Sequence, residues 1–285
     1  MKPDTANSYR RRISNVLTHI QQNLDGPLTL DELAGVACFS PFHFHRVFRG
    51  MVGEAVKEHV RRLRLERAAR ELRRTESGVL EIALEAGYET HESFTRAFAE
   101  TFGMPPSEFR RRRDASLEAR LPPGAQSRAS GFRVKRLDAM RVAFIRHVGS
   151  YDDVGKAWSK LYPWAAMQGL LGPGTRVLGI AHDDPDITPP DKLRYDAALT
   201  LTRPAAPAGE IGIAEIPAGE YATAVHTGPH NCLSDSYAEL AGKWLPETGR
   251  ELRNAAAIEF YFNSPQTTPA EELRTEICLP LVAEA

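Results

Sequence analysis

Apolar residues recur every three or four positions through the front part of the chain, and this spacing predicts a series of amphipathic helices. A first helix is predicted over residues 9–24. Thr29 begins a short second helix and forms a capping box with Glu32, three residues later. Ser40 is placed to cap a third helix. Residues 54–74 then predict one longer helix that is rich in arginine.

A helix-turn-helix pattern occurs twice in this region, about fifty residues apart, at Leu33–Gly53 and Ile82–Gly103. Arg46 matches Arg96 at equivalent places in the two copies. Each copy ends in a helix with a predicted buried stripe, which is Phe44, Val47, Phe48 and Met51 in the first and Phe94, Ala97, Phe98 and Thr101 in the second. Two such motifs joined by one helix are able to reach successive turns of DNA, about 34 Å apart.

The outward faces of these two helices carry the candidate DNA-reading side chains. They are Phe42, His45, Arg46 and Arg49 in the first copy, and His91, Glu92, Thr95 and Arg96 in the second. Arginine can bond guanine, glutamate can accept from cytosine, and an aromatic ring can contact the thymine methyl group. For one helix alone, an ordinary solvated face explains the pattern equally well. Because the side chains differ between the copies, the predicted operator is asymmetric.

The front segments closely resemble the DNA-binding domain of AraC/XylS-type transcription regulators. The segments that carry the resemblance are LTLDELAGVACFSPFHFHRVFR, GVLEIALEAGYETHESFTRAF and FGMPPSEFRR. The resemblance implies base contacts by the outward residues above, and phosphate contacts by helix N-termini and the arginine-rich connecting and closing segments. Cys38 departs from the family, which usually has glycine there. Since a left-handed backbone is costly for cysteine, we expect this turn to differ in detail.

A second internal repeat, with a period of 79–80 residues, lies in the back part of the chain. HVGSYDDVGKAWSKL aligns with HTGPHNCLSDSYAEL, and LRYDAALTL aligns with LRTEICLPL. Each unit reads strand, helix, strand, strand. We therefore expect a pseudo-twofold α+β domain with helices on one sheet face and a cleft on the other.

Strand alternation places Glu276 on the face opposite Ile277 and Leu279, and the repeat places Asp196 at the matching position. Two acids on otherwise apolar strands indicate a site for a cationic ligand. Two ordinary solvent-facing acids explain the pattern equally well. Aromatic residues that are candidates to stack on such a ligand are Tyr195, Trp164 and Tyr261.

This back region resembles the GyrI-like, or SOUL-type, effector-binding domain. The segments HVGSYDDVGKAWSKL, IAHDDP, IPAGEYATAVHTGP and EELRTEICLPL carry the resemblance. It implies an effector site in which the ligand-contacting glutamate falls on Glu276, and we expect the effector to be a small amphipathic or cationic molecule. The leading hypothesis is a one-component transcription regulator and not an enzyme. Two alternatives stay open: a hydrolase in which Glu276 is a general base, and a module that binds only protein.

Composition and charge fit this division. Residues 1–114 hold 19 basic and 16 acidic side chains, whereas the rest hold 17 and 21. We assign residues 1–113 to the DNA-binding domain, 114–131 to a linker marked by Pro122-Pro123-Gly124, and 132–285 to the effector domain. The three scattered cysteines suit neither a metal site nor a disulfide framework. The predicted location is cytoplasmic, with no cofactor and no membrane contact. The expected partners are double-stranded DNA, a small-molecule effector and, as a further candidate, RNA polymerase.

Overall fold

Two compact units divide the chain, residues 1–115 and 116–285. The computed structural model describes residues 3–112, 128–253 and 255–283, and it describes side chains from residue 8 onward. Residues 114–127 of the predicted linker lie outside the described residues. No helix in the described ranges is both long enough and apolar enough to span a bilayer.

The front unit is helical throughout its described part. Its helices are α1 (Pro3–Gln22), α2 (Leu30–Val36), α3 (Pro41–Val52), α4 (Val56–Arg74), α5 (Val79–Glu85), α6 (His91–Phe102) and α7 (106–112). Thr29 and Ser40 cap α2 and α3 as predicted, each accepting a backbone N–H three residues on. The predicted capping box is incomplete, because the Glu32 carboxylate lies 3.1 Å from His19 Nε2 instead.

The turns of the two helix-turn-helix motifs have the same backbone geometry. Cys38 has a φ of +52° and Gly87 a φ of +80°, so both are left-handed. The amide of Cys38 donates to the Gly35 carbonyl at 3.0 Å, and the amide of Gly87 donates to the Leu84 carbonyl at 2.9 Å. The expectation of a different first turn was therefore wrong. The chain keeps the motif and tolerates a strained cysteine.

Each helix-turn-helix motif has its own core. Phe44 and Phe48 are fully buried on α3, and Phe94 and Phe98 are fully buried on α6. The predicted stripes err at their last positions, since Met51 and Thr101 are exposed. The stripe on α6 turns toward Phe102 instead, whose ring lies 4.5 Å from that of Phe98 between centroids.

Helix α4 joins the two cores. Val60 and Leu63 pack with the first motif, while Ala69 and Leu72 are buried nearer its C-terminal end. A helix of 19 residues is about 28 Å long. This length is of the same order as one turn of DNA, about 34 Å.

The back unit contains one eight-stranded antiparallel sheet. Its strands are β1 (Ala129–Leu137), β2 (Met140–Val148), β3 (Val177–Ala181), β4 (Arg194–Thr200), β5 (Ile211–Ile216), β6 (Gly219–Thr227), β7 (Ala257–Tyr261) and β8 (Arg274–Pro280). Their order across the sheet is β1-β6-β8-β7-β3-β4-β2-β5. The prediction omitted β1 and β5, and it placed residues 129–131 in the linker. The alternating residues FRVKRL on β1 pair with β6, which makes this polar segment a strand.

Helices cover one face of this sheet. Helix α8 (Gly155–Met167) packs on β2 and β4. Helix α9 (Leu233–Glu239) continues through a π-helical turn (Leu240–Trp244) into α10 (Leu245–Thr248), and this segment packs on β6 and β8. Because directly paired residues point to the same side, the register places Ala197, Glu259 and Ile277 on this helix-covered face. Asp196, Phe260 and Glu276 lie on the opposite face.

Candidate functional sites

The outward face of α3 is built as the sequence predicts. Phe42 is 73% exposed, and His45, Arg46 and Arg49 are exposed as well. The Arg46 guanidinium lies 5.0 Å from the centroid of the Phe42 ring, which is a cation–π geometry. This face therefore presents a forked donor beside an apolar ring, the two groups that suit guanine and the thymine methyl group.

The matching face of α6 is more polar and has one departure from expectation. His91, Glu92 and Arg96 are exposed. Thr95 is only half-buried as a residue, but its Oγ1 is buried and has no hydrogen-bond partner among the described residues. Its hydroxyl is therefore turned away from the surface, so at most its methyl group is available to a base.

Several arginines expected at phosphates are used inside the front unit. Arg62 binds Glu54 and Glu66, each at 2.8 Å. Arg64 donates to the backbone carbonyls of residues 24 and 26, at 3.0 and 2.6 Å. Arg67 pairs with Asp25 and donates to the Glu85 carbonyl at 2.7 Å. The arginine-rich face of α4 thus fastens the two motifs together.

Asp196 and Glu276 do not form one site. Strands β3 and β7 lie between β4 and β8, so the backbones of the two acids are three strand spacings apart, roughly 14 Å measured along the sheet. Each acid is buried and neutralised. Asp196 accepts two hydrogen bonds from Arg146, at 2.6 and 2.7 Å, and lies 2.8 Å from His182 Nε2. Burial alone would raise the pKa of Asp196, but Arg146 and His182 hold it well below its ordinary range.

Glu276 is surrounded by three basic side chains. Lys135 Nζ lies 3.0 Å from each of its carboxylate oxygens. Arg133 and Arg176 approach it to 3.5 and 3.9 Å. The sequence-based expectation of a carboxylate available to a cation therefore does not match the charge around either acid.

A different acid, Glu259 on β7, has the properties expected of a cation site. It is buried at the centre of the helix-covered face. Tyr237 from α9 and Tyr261 donate hydrogen bonds to it at 2.8 and 2.5 Å. Tyr195 completes the chain, with its hydroxyl 2.8 Å from that of Tyr261. Among the residues that the structure describes, no lysine or arginine pairs with Glu259.

Burial raises the pKa of Glu259 above its ordinary value, although the hydrogen bonds from Tyr261 and Tyr237 lower it. Burial and the neighbouring carboxylate raise the pKa of both tyrosines well above 10. The tyrosine hydroxyls therefore stay protonated and act as donors. The site combines an uncompensated carboxylate with neutral hydroxyls, and this combination favours a ligand that brings a positive charge.

Further aromatic rings surround this acid. The rings of Trp158 and His230 lie 6.1 and 5.2 Å from that of Tyr261 between centroids. The ring of Tyr151 lies 6.0 Å from that of Tyr195. Of the predicted aromatic candidates, Tyr195 and Tyr261 therefore belong to this cluster, whereas Trp164 is buried in the packing of α8 against the sheet.

The signal for Glu259 was present in the sequence. In the segment IEFY, alternation places Ile258 and Phe260 on one face and Glu259 and Tyr261 on the other. An acid two residues from a tyrosine within an apolar strand is the same type of pattern that singled out Glu276. The strand register, which the sequence did not reveal, distinguishes the two.

Comparison with known families agrees with this architecture. Residues 131–282, more than half of the chain, match the GyrI-like small molecule binding domain. Residues 33–112 match a helix-turn-helix domain of the AraC type. The chain belongs to the AraC-type transcription regulators that carry a C-terminal GyrI-like domain.

Three curated relatives are similar to parts of the chain. The TetD protein of transposon Tn10 from Escherichia coli is 40% identical over 107 residues, which cover 38% of this chain and 78% of TetD. The regulatory protein SoxS of Escherichia coli K12 is 32% identical over 105 residues, covering 37% of this chain and 98% of SoxS. The right origin-binding protein of the same strain is 35% identical over 111 residues, but the match covers 39% of this chain and only 38% of that protein.

Proposed function

We propose that the chain is a one-component regulator in which α3 and α6 read an asymmetric operator and Glu259 binds an amphipathic, cationic effector. One observation carries the effector part of this proposal: a buried carboxylate bonded by two tyrosines, ringed by aromatic side chains, with no basic partner among the described residues. RNA polymerase is the further partner that we propose for the DNA-bound protein.

The energetics of Glu259 support a cation. A buried charge without a counterion is costly, and a ligand cation offsets that cost when it enters. Aromatic faces add cation–π attraction and apolar contact area. A neutral ligand of the same shape gains only the contact area, so the site discriminates by charge.

We also propose that the back unit is a duplication related by a pseudo-twofold axis. In support, exchanging each strand with the strand four positions later along the chain, β1 with β5 and so on, reverses the strand order and leaves it otherwise unchanged. Each half contains two strands, a helix and two strands. Glu259 and Gly179 then occupy equivalent, directly paired positions on β7 and β3. Glycine opposite the acid leaves space in which the tyrosines of both halves meet.

The effector proposal is tested by isothermal titration of the full chain with tetraphenylphosphonium and with triphenylphosphine oxide, which keeps three phenyl rings but has no net charge. We expect the cation to bind at least roughly tenfold more tightly, a difference of about 1.4 kcal/mol. Glu259→Gln should abolish that preference. Glu210→Gln, at a surface pair with Lys160, is the matched control. If Glu259→Gln keeps the preference for the cation and Glu276→Gln loses it, the effector binds at Glu276, as the sequence predicted, and the proposal for Glu259 is rejected.

The DNA proposal is tested separately. Operators selected from random DNA should be non-palindromic, because α3 and α6 present different side chains. Arg46→Ala and Arg96→Ala should each cost about 1–3 kcal/mol of discrimination at one base position. Arg46→Lys keeps the charge but loses the forked geometry, so it should relax specificity while non-specific binding at low salt is maintained. Unchanged operator selection by the double alanine variant would refute the assignment.

Effector control of DNA binding requires that the ligand distinguish two states of the protein. Tetraphenylphosphonium should therefore change operator affinity in the unmodified chain and have no effect in Glu259→Gln. Equal operator affinity with and without saturating ligand would reduce the back unit to a binding module that does not regulate the front unit.

A further inference from the structure

The sheet face opposite the helices carries a concentration of positive charge around Glu276. Arg133 and Lys135 project from β1, and Arg176 precedes β3. We call these three side chains the basic cluster. All three converge on one carboxylate that is itself 2% exposed. Three cations and one anion leave a local excess of two positive charges.

Glu276 accepts hydrogen bonds from only one member of the basic cluster. Lys135 bonds both carboxylate oxygens at 3.0 Å. Arg133 lies 3.5 Å from the carboxylate, at the limit of hydrogen bonding, and Arg176 lies 3.9 Å from it, beyond that limit. No other acidic side chain in the described ranges pairs with either arginine. Their guanidinium donors are also accessible, since the side chains of Arg133 and Arg176 are 60% and 41% exposed.

Asp196, at the matching position in the first half, forms an ion pair in which all of the charged groups are bonded to one another. Asp196 receives a bidentate Arg146 at 2.6 and 2.7 Å together with His182. The side chains of all three residues are no more than 12% exposed. The charged groups at Asp196 are therefore shielded from solvent and bonded to one another. At Glu276, by contrast, two of the three basic side chains are exposed, and the single carboxylate does not hydrogen bond all of them.

An aromatic support fixes one of the arginines. The Arg176 guanidinium stacks on Phe260, 3.4 Å from the ring centroid. Stacking holds the guanidinium plane and leaves its edge N–H groups to point away from the ring. Glu276, directly paired with Phe260 in the sheet, holds Lys135 beside it. The donors are thus oriented before any ligand arrives.

We propose that the basic cluster binds a small anion bearing a phosphate or carboxylate group, held by the forked donors of Arg133 and Arg176 with Lys135 adding charge. Guanidinium groups recognise both anions by paired N–H donors. The site lies on the sheet face opposite Glu259, so it is separate from the cationic-effector site and does not depend on it.

The test is isothermal titration of the full chain at constant ionic strength, with inorganic phosphate in one arm and malonate in the other. We expect saturable binding of at least one anion, and the stronger arm identifies the headgroup. Arg133→Ala and Arg176→Ala should each weaken it roughly tenfold. Lys160→Ala removes a surface lysine that pairs with Glu210 and serves as the control, which should bind as the unmodified chain does.

A second variant separates an anion site from a purely structural ion-pair network. Glu276→Gln removes the competing negative charge, so the anion should bind more tightly if the variant keeps its fold. The side chains of Arg133 and Arg176 are 60% and 41% exposed, so we expect their alanine variants to fold and to give a result even if Glu276→Gln unfolds. The proposal is overturned if neither anion binds the unmodified chain saturably, or if Arg133→Ala with Arg176→Ala binds as tightly as the control.

Discussion

Replacing Cys38 by glycine should stabilise the front unit. A left-handed backbone costs an L-residue with a Cβ roughly 1–2 kcal/mol, and Cys38 is left-handed at a φ of +52°. Glycine avoids that cost but loses about 0.4–1 kcal/mol to the greater freedom of its unfolded chain. The thiol is exposed, so little packing is lost. Arg12 bonds the backbone carbonyl of Cys38 at 3.0 Å, and this contact survives. The net gain is about 0.5–1 kcal/mol.

The chain permits each unit to be followed separately in one urea titration. All three tryptophans, at positions 158, 164 and 244, lie in the back unit, whereas the front unit is helical throughout its described part. Circular dichroism at 222 nm therefore weights the front unit, and tryptophan fluorescence reports only the back unit. Cys38→Gly should raise the first transition and leave the second unchanged.

Two matched variants isolate the backbone effect. Cys38→Ala removes the thiol but keeps the Cβ, so it should not stabilise. Gly87→Cys makes the reverse exchange in the second motif, where a Cβ would lie 2.8 Å from Arg64 Nη1. It should destabilise by about 2 kcal/mol, because the left-handed cost adds to displacement of that arginine. Equal stabilisation by Cys38→Ala and Cys38→Gly would show that the thiol, not the turn, is responsible, and would refute the reasoning.

Three further predictions follow from buried groups. Gly179→Ala should destabilise the back unit by about 1–3 kcal/mol in unfolding followed by tryptophan fluorescence. The reason is that the added Cβ would lie within 2.5 Å of two tyrosine hydroxyls. Gly172→Ala is the control and should be neutral, because no atom of the described residues lies within 4 Å of a Cβ at that position. Burial alone would raise the pKa of Glu54, but hydrogen bonds from His59 and Arg62 lower it to about 2. The free energy of unfolding of the front unit should therefore fall by up to roughly 3 kcal/mol as the pH drops from 4.5 toward 2. A urea transition at 222 nm that does not change with pH would contradict this prediction. Burial raises the pKa of Glu259, so Glu259→Gln should stabilise the ligand-free back unit near pH 7 and lose that advantage toward pH 4.

The helical half of the fold was largely accessible from sequence because its determinants are local. Caps such as Thr29 and Ser40 act within three residues, and the 3.6-residue period identifies the face that is buried. The errors fell at the last predicted positions of the two stripes, Met51 and Thr101, which are exposed. The expected cost of a left-handed cysteine did not change the turn, because Cys38 adopts the left-handed backbone that the motif requires.

The back unit was harder because its determinants are distant in sequence. The sequence of β1 looks like a polar segment, and it forms a strand because it pairs with β6, about ninety residues later in the chain. The neutralisation of Glu276 depends on Lys135, 141 residues away. Alternation assigned Glu276 and Ile277 to opposite faces correctly. It gave no information on which cations the neighbouring strands would bring to that acid.

Glu259 and Glu276 show how one sheet treats two buried acids in opposite ways. They lie on neighbouring strands, and the same register that pairs Glu276 with Phe260 sends Glu259 to the other face. On the helix-covered face the groups that meet the acid are uncharged hydroxyls and aromatic rings, so no counter-ion within the described part of the chain compensates a charge on Glu259. On the opposite face, β1 supplies two cations, Arg133 and Lys135, beside the single carboxylate of Glu276. Under our two proposals, the stability lost by burying Glu259 is recovered when a cationic ligand binds, and the surplus positive charge beside Glu276 attracts an anion. A residue's type and strand parity therefore locate a candidate site, but the charge supplied by its neighbours decides which ligand it selects.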